Sequence, residues 1–151
     1  MKSITTVALM SACIALGWIS CQTGDTPASD LSTPAQVQEI SILQLDSLQA
    51  ALPTAILIDV RSDNEWDAGH LEGAAFISYD WDDRLEPLKS LPNNRPILVY
   101  CEAGGRSGVI TEELRIIGHP YIIDLVGGME EWTNNNGAVV FGEPVDLPSS
   151  E

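Results

Sequence analysis

The chain has 151 residues, of which 44% are hydrophobic, so it can bury the core of one domain without disulfides or a metal. It is too short for two ordinary domains. The net charge of −15 argues against nucleic acid as a partner, because phosphate binding requires a basic surface. The same acidity should repel small anionic substrates at long range.

The N-terminal segment differs in composition from the rest of the chain. Lys2 precedes an apolar run over residues 7–19. This run is shorter than the about 20 apolar residues that span a bilayer, so it favours a cleaved signal peptide over residues 1–20. A buried helix is the alternative, but no capping residues bound the run and a polar stretch follows it.

The end of this segment carries a processing signal. The sequence Trp18-Ile19-Ser20-Cys21 resembles the lipobox of bacterial lipoproteins, in which a small residue precedes the cleavage site. The resemblance implies that Cys21 is lipidated and becomes the new N-terminus. It predicts a protein on the periplasmic side of a bacterial cell envelope, held at a membrane by its lipid. Ordinary cleavage nearby, which would leave Cys21 as a free thiol, is the alternative.

Two polar segments delimit the folded domain. Residues 21–36 are rich in Thr, Ser, Asp, Pro and Ala, which is typical of a flexible tether. Residues 142–151 are similarly rich in Pro and Ser and predict a peripheral C-terminal tail. The domain is therefore expected over residues 37–141.

Short apolar runs alternate with helical patterns throughout this domain. The alternation predicts a three-layer α/β sandwich, with a mostly parallel five-stranded sheet and helices on both faces. Ser62 and Glu65 form a capping box at the start of the second helix. In chain order, the predicted elements are strand 37–42, helix 43–52, strand 55–60, helix 62–68, strand 74–77, helix 83–91, strand 97–100, helix 105–117, strand 121–126 and helix 129–135. The helix at 105–117 is expected to bury one face, formed by Val109, Ile110, Leu114 and Ile117.

The loop after the fourth predicted strand carries the candidate reactive residues. Cys101 directly follows a buried strand, and reactive crevices of parallel sheets lie beyond the carboxyl ends of their strands. Gly104 and Gly105 allow a tight turn that presents successive amide N–H groups to one point. Arg106 adds a positive charge at the helix start, so the arrangement should favour the thiolate of Cys101 or a persulfide anion on it.

Cysteine usage supports the same assignment. Cys13 would leave with the signal peptide and Cys21 would be consumed by lipidation, so Cys101 would be the remaining thiol. A buried core cysteine is the alternative interpretation, because free cysteine is among the most buried residue types. Two histidines far apart in sequence and one thiol give no metal-ligand spacing, so no metal or cofactor is expected.

Three motifs in order resemble those of the rhodanese family. The loop Cys101-Glu102-Ala103-Gly104-Gly105-Arg106-Ser107 is similar to the family's active-site loop. The segment from Asp59-Val60-Arg61 through Glu65-Trp66, Gly69-His70-Leu71 and Gly73-Ala74 is similar to its N-terminal motif. Leu125 through Gly127-Gly128-Met129 to Trp132 is similar to its C-terminal motif. The resemblance implies a rhodanese-like fold over residues 37–135.

The resemblance also implies a sulfurtransferase. Cys101 would take sulfane sulfur from thiosulfate or a persulfide and pass it to a thiol or cyanide-like acceptor in two half-reactions. Residues 102–106 would form an amide cradle, in which Arg106 helps to bind the donor. Ser107 and Arg61 complete the candidate substrate-binding set, although both are expected to be mainly structural. His70 is expected to be a hydrogen-bonding strut.

Two other functions remain open. Protein-tyrosine-type phosphatases use a similar cysteine loop but place the arginine six residues after the cysteine, where this chain has Ser107. The shorter loop favours a single sulfur atom over a tetrahedral phosphate. A tethered module that binds a partner or carries persulfide without turnover is the second alternative. Because Glu102 adjoins the thiol, we expect weak turnover with thiosulfate and better transfer from a persulfide.

Overall fold

The structure is a computed structural model that describes residues 35–149. The predicted signal peptide at 1–20, the lipidation site Cys21 and nearly all of the predicted tether at 21–36 lie outside the described residues. No helix within the described part of the chain is both long enough and apolar enough to cross a membrane.

Five strands form one sheet in which every neighbouring pair is parallel, which confirms the predicted fold class. The strands are β1 Gln36–Ser41, β2 Ile56–Asp59, β3 Ala74–Phe76, β4 Ile97–Tyr100 and β5 Tyr121–Val126. The sheet order is β1-β5-β4-β2-β3, and β2 and β4 are buried at every position. Such buried strands arise because helices cover both faces of a parallel sheet.

Helices connect the strands in the predicted order. A 3₁₀ turn at Ile42–Gln44 precedes the first helix, where a single helix over 43–52 was expected. The capping box of Ser62 and Glu65 is formed as predicted. The α-helices are α1 Leu45–Ala51, α2 Asp63–Asp67, α3 Leu85–Lys89, α4 Gly105–Ile117 and α5 Gly128–Asn134.

Helix α3 is shorter than the predicted 83–91 because of two prolines. Pro87 has no N–H to donate to the carbonyl of Asp83, so the α-helical pattern begins only at Leu85. At the other end, Leu91 precedes Pro92, and the residue before a proline is disfavoured in helical conformation. These constraints leave a helix of five residues, with Pro87 in its first turn and Pro92 beyond its end.

Strand alternation assigns Cys101 to one side of the sheet. Ile97, Val99 and Cys101 belong to the core cluster that includes Ile110 and Leu114 of α4. The intervening residues of β4 face the opposite cluster, which packs against α1, α2 and α5. The cysteine side chain therefore points towards α4, the helix that follows it in sequence.

The buried face of α4 differs in one position from the prediction. Ile110 and Leu114 are fully buried, whereas Val109 is 42% exposed. The buried residues of this helix are Ser107, Ile110, Thr111 and Leu114, whose spacing of three and four defines a single stripe. Val109 lies one residue outside that stripe.

The segment predicted as a peripheral tail makes contacts with the domain as far as it is described. Trp66 Nε1 donates to the Gly142 carbonyl oxygen at 3.1 Å, and the Val145 amide donates to the Ala74 carbonyl oxygen at 3.1 Å. Leu147 is partly buried against the cluster that contains Cys101. Residues 142–149 are therefore attached to the surface of the domain.

Candidate active site

The candidate site lies where β4 ends and α4 begins, at the carboxyl edge of the sheet. Gly104 has a φ of +101°, a left-handed conformation that favours glycine, and it turns the chain into the helix at Gly105. This turn directs the Gly104 N–H at Cys101 Sγ, with an N···S distance of 3.1 Å. The loop thus holds the sulfur atom with a backbone donor, as the glycine pattern predicts.

The sulfur atom has fewer partners than the sequence led us to expect. Within residues 35–149, the amide that donates to Sγ is that of Gly104, and the other amides of the predicted cradle form no hydrogen bond with it. The Ser107 hydroxyl lies 3.6 Å from Sγ and donates to the Gly104 carbonyl oxygen at 3.1 Å. Ser107 is therefore a neighbour of the sulfur as well as a residue of the first helical turn.

Cys101 is buried. The residue is 1% exposed and packs against the apolar side chains of the α4-facing cluster. Burial alone would fit the core-cysteine alternative, but an apolar cysteine does not need an N–H directed at its sulfur. Ala103 and Gly105 of the same loop are exposed, so the buried thiol lies beneath a short surface loop.

Helix α5 clamps the loop from the side. The Met129 amide donates to the Cys101 carbonyl oxygen at 3.0 Å, and the Glu130 amide donates to the Glu102 carbonyl oxygen at 2.9 Å. Gly128 approaches so closely that a Cβ there would lie 2.3 Å from the Cys101 carbonyl oxygen. Gly128 therefore allows the start of α5 to approach the loop backbone, whereas a Cβ on Gly127 would meet the Glu131 side chain. Sequence reasoning had noted these glycines only as part of a family motif.

Arg106 is engaged by a carboxylate rather than by the sulfur. Its two terminal nitrogens donate to the two oxygens of Glu65, both at 2.6 Å. The guanidinium lowers the pKa of Glu65 to about 2, an effect opposed by partial burial and aided by hydrogen bonds from Ser62. The sequence predicted Arg106 to support the sulfur and bind the donor; the structure shows its guanidinium paired with a carboxylate 41 residues away, and the donor-binding role stays a prediction.

Arg61 is held inside the domain. Its side chain is 4% exposed and contacts the Asp59 carboxylate at 2.7 Å, the Gly69 carbonyl oxygen at 2.8 Å and Glu102 at 3.3 Å. Burial acts to lower the pKa of Arg61, but the hydrogen bonds and charge of Asp59 outweigh it and raise the pKa. This geometry favours the structural role over direct substrate binding, because the guanidinium is already surrounded by protein oxygens.

A small cleft of about 230 Å³ adjoins the loop. Both Glu65 and Glu102 line it, together with the apolar side chains of Met129 and Val139. Arg61 is the one guanidinium among the lining residues that the structure describes, so two carboxylates of the cleft face one positive charge. The cleft therefore carries a negative balance as well as an apolar wall.

One buried acid behind the loop escaped sequence reasoning. Asp124 on β5 is 4% exposed, and its Oδ1 has no hydrogen-bond partner within the described chain. Burial raises its pKa, the nearby hydroxyl of Ser107 opposes this shift, and the charge of Glu39 adds to it. The available signal was a single acid in the otherwise apolar run of β5.

His70 was expected to be a hydrogen-bonding strut, and its Nδ1 lies 3.4 Å from the Trp66 carbonyl oxygen. Its ring stacks on Trp66 at a centroid distance of 3.5 Å, and its backbone pairs with Val140 in an antiparallel bridge. Among residues 35–149, no group of three or more His, Cys, Asp or Glu side chains is placed to hold a metal ion.

Together, the parallel sheet and the glycine-turned loop define an α/β domain centred on one cysteine at a strand end. The chain belongs to the rhodanese-like domain family, whose pattern matches residues 42–135. Curated relatives of this family include proteins named as sulfurtransferases.

Two relatives and one solved structure illustrate the similarity. The probable adenylyltransferase/sulfurtransferase MoeZ of Mycobacterium tuberculosis is 36% identical over 76 residues, which is 50% of this chain but 19% of MoeZ. The thiosulfate sulfurtransferase GlpE of Tolumonas auensis is 30% identical over 98 residues, covering 65% of this chain and 90% of GlpE. A rhodanese-like domain protein from Staphylococcus aureus superposes with a TM-score of 0.60 at 24% identity, covering 70% of this chain and 98% of that one. At this identity the structural match shows the fold alone.

Proposed function

We propose that this protein is a sulfurtransferase that carries sulfane sulfur as a persulfide on Cys101. The observation that carries the proposal is the 3.1 Å contact from the Gly104 N–H to Sγ at the carboxyl end of β4. A backbone donor aimed at sulfur stabilises negative charge on it, whether as thiolate or as persulfide. The names of the relatives support the same class of reaction.

The reaction would consist of two displacements at sulfur. In the first, the Cys101 thiolate attacks the outer sulfur of the donor, a new S–S bond forms, and the donor's own S–S bond breaks. Sulfite leaves from thiosulfate, or a thiolate leaves from a persulfide, with the bonding electron pair. In the second, a thiolate or cyanide acceptor attacks the terminal sulfur and expels the Cys101 thiolate. The sum needs no external oxidant or reductant.

A sulfur-carrier module without turnover is the second candidate function. The 1% exposure of Cys101 favours it, since a buried persulfide is protected from adventitious acceptors. The phosphatase alternative loses further support, because the phosphatase arginine position holds Ser107 and the neighbouring Arg106 is paired with Glu65 through both terminal nitrogens. Turnover with a small acceptor separates the enzyme from the carrier.

The decisive measurement is the intact mass of the purified protein after exposure to a sulfane donor. We expect a gain of one sulfur atom that cyanide or a small thiol removes, and no gain in Cys101→Ser. Repeated turnover with an excess of both substrates would identify the enzyme, and a single loading without turnover would identify the carrier. Failure of the wild-type protein to take up sulfur from any donor would contradict the proposal.

We also propose that the protein acts at the periplasmic side of a bacterial cell envelope through a lipid on Cys21. The support is the lipobox-like segment that ends at this residue. Mass spectrometry of the protein isolated from membranes should show a lipid-modified Cys21 as the first residue. An unmodified N-terminus elsewhere, in protein released by salt washing, would contradict this proposal.

A further inference from the structure

The ion pair between Glu65 and Arg106 is bidentate. Each terminal nitrogen of Arg106 contacts its own carboxylate oxygen at 2.6 Å. Such bidentate, charge-assisted pairs are among the stronger hydrogen-bonded contacts in proteins. Both side chains are only partly exposed, so solvent screens the pair less than it would a surface contact.

The carboxylate is also fixed independently of the arginine. Glu65 closes the capping box of α2, where it accepts hydrogen bonds from the Ser62 amide at 3.0 Å and from the Ser62 hydroxyl. Glu65 cannot follow Arg106 towards an incoming ligand without breaking the start of its own helix. The Arg106 guanidinium is therefore held by an anchored partner, which itself lines the cleft.

The second guanidinium at this edge is occupied in the same way. Arg61 contacts Asp59 at 2.7 Å and Glu102 at 3.3 Å, and only 4% of its side chain is exposed. Each guanidinium near the sulfur thus already holds a carboxylate. Glu102, whose side chain is 45% exposed, adds negative charge at the loop itself.

We infer that Glu65 determines the charge class of the sulfur donor, because its hold on Arg106 makes Cys101 select donors without net negative charge over dianions such as thiosulfate. This inference rests on the proposed function. An aminothiol persulfide suits this charge balance, because its ammonium group would be attracted by the partly exposed carboxylate of Glu102 on the loop. The sulfur transfer itself proceeds by the displacement described above, with the aminothiolate leaving.

Two persulfides of matched length test the inference. Cysteamine persulfide combines an ammonium group with the persulfide, and 3-mercaptopropionate persulfide carries a carboxylate in its place. Thiosulfate is the third donor. The readout is the second-order rate constant for sulfur loading onto Cys101, followed by intact mass in full-length protein. We expect the wild-type protein to load from cysteamine persulfide about ten-fold faster than from 3-mercaptopropionate persulfide.

The informative variant is Glu65→Gln. Glutamine retains the capping box but removes the charge that holds Arg106. We expect the rate constants for thiosulfate and 3-mercaptopropionate persulfide to rise about ten-fold relative to that for cysteamine persulfide. In the double variant with Arg106→Gln, this gain should disappear, which would show that Glu65 acts through the arginine. The ratio of two donors in one preparation does not depend on the folded fraction.

Glu112→Gln is the matched control. Glu112 forms a similar bidentate pair with Arg115, at 2.6 and 2.7 Å, on the exposed far half of α4. This variant makes the same change in net charge and should leave the donor ratio as in the wild type. An unchanged ratio in Glu65→Gln, or an equal shift in Glu112→Gln, overturns the inference while leaving the sulfurtransferase proposal intact. Absence of loading from all three donors in the wild-type protein overturns both.

Discussion

Two neighbouring strand ends of this sheet have similar positions but different chemistry. Strands β2 and β4 pair in parallel, with Asp59 opposite Tyr100, so the segments that follow them begin side by side. After β2, Arg61 binds Asp59 through its backbone amide at 2.9 Å and through its side chain. After β4, the chain instead turns through glycine and directs one amide at a sulfur atom.

The comparison shows that the reactive group and the ion pairs that stabilise its surroundings lie at different strand ends. At the end of β2, the buried Asp59 and Arg61 pair with each other, and Glu102 links Arg61 to the loop after β4. The β4 end keeps two polar contacts, with the Gly104 amide and the Ser107 hydroxyl, to an atom that can form covalent bonds. Rigidity is thus supplied by one strand end and chemistry by the other, which is the arrangement that a preorganised site requires.

The largest expected effect on stability comes from removing the ion pair at the end of β2. Asp59→Asn leaves the buried Arg61 charge without its principal counterion, and such a loss costs about 3–5 kcal/mol of the free energy of unfolding. Urea denaturation at neutral pH measures it. Glu102→Gln removes the other carboxylate contact of Arg61, but the exposure of Glu102 limits the cost to about 1 kcal/mol or less. Equal losses in the two variants would show that the two carboxylates support Arg61 alike.

A smaller effect is expected where α5 meets the reactive loop. Gly128→Ala would place a Cβ 2.3 Å from the Cys101 carbonyl oxygen and 2.4 Å from that of Glu102, so the clamp must move. We expect a loss of about 2 kcal/mol in stability and a fall in the rate of sulfur loading, because the loop backbone loses its two amide donors. Denaturation and intact-mass kinetics on the same samples measure both.

Gly118→Ala provides the control for backbone strain. Gly118 has a φ of +95° at the end of α4, and a Cβ there meets nothing within 4 Å. It should cost about 1 kcal/mol through its left-handed conformation, with sulfur loading unchanged. If both glycine variants lost loading alike, the clamp would have no specific role.

Local signals explain why much of the fold was predictable. The bounds of β4, β5 and α4 match the predicted ones, because each element is delimited by glycine, by a charged residue or by the end of an apolar run. Gly118, in left-handed conformation, ends α4 where the pattern required. Helix α3 was predicted too long because the position of Pro87 within the first turn was not taken into account.

The contacts between distant segments were not predictable from local patterns. The capping box identified Glu65 as a partner of Ser62, but its second partner, Arg106, is 41 residues away and meets it only when two loops converge. The link from Arg61 to Glu102 also spans 41 residues. The first contact occupies Arg106, which the sequence had marked as a positive charge available to a donor, and the second fits the mainly structural role expected of Arg61.

The smallest expected effect concerns the buried acid behind the reactive loop. Burial raises the pKa of Asp124 above its usual 3.8, so the folded protein binds this proton more tightly than the unfolded chain does. The contribution of Asp124 to stability is therefore most favourable below about pH 4 and is lost as pH rises through its folded-state pKa. Asp124→Asn should remove this loss, raising stability at neutral pH by about 1 kcal/mol or less. The difference between wild type and variant, measured by denaturation from pH 4 to pH 8, should grow with pH, and Glu39→Gln should reduce it because Glu39 adds to the raised pKa. A constant difference across that range would mean that Asp124 titrates alike in the folded and unfolded states, and its burial beside Ser107 would then carry no electrostatic cost.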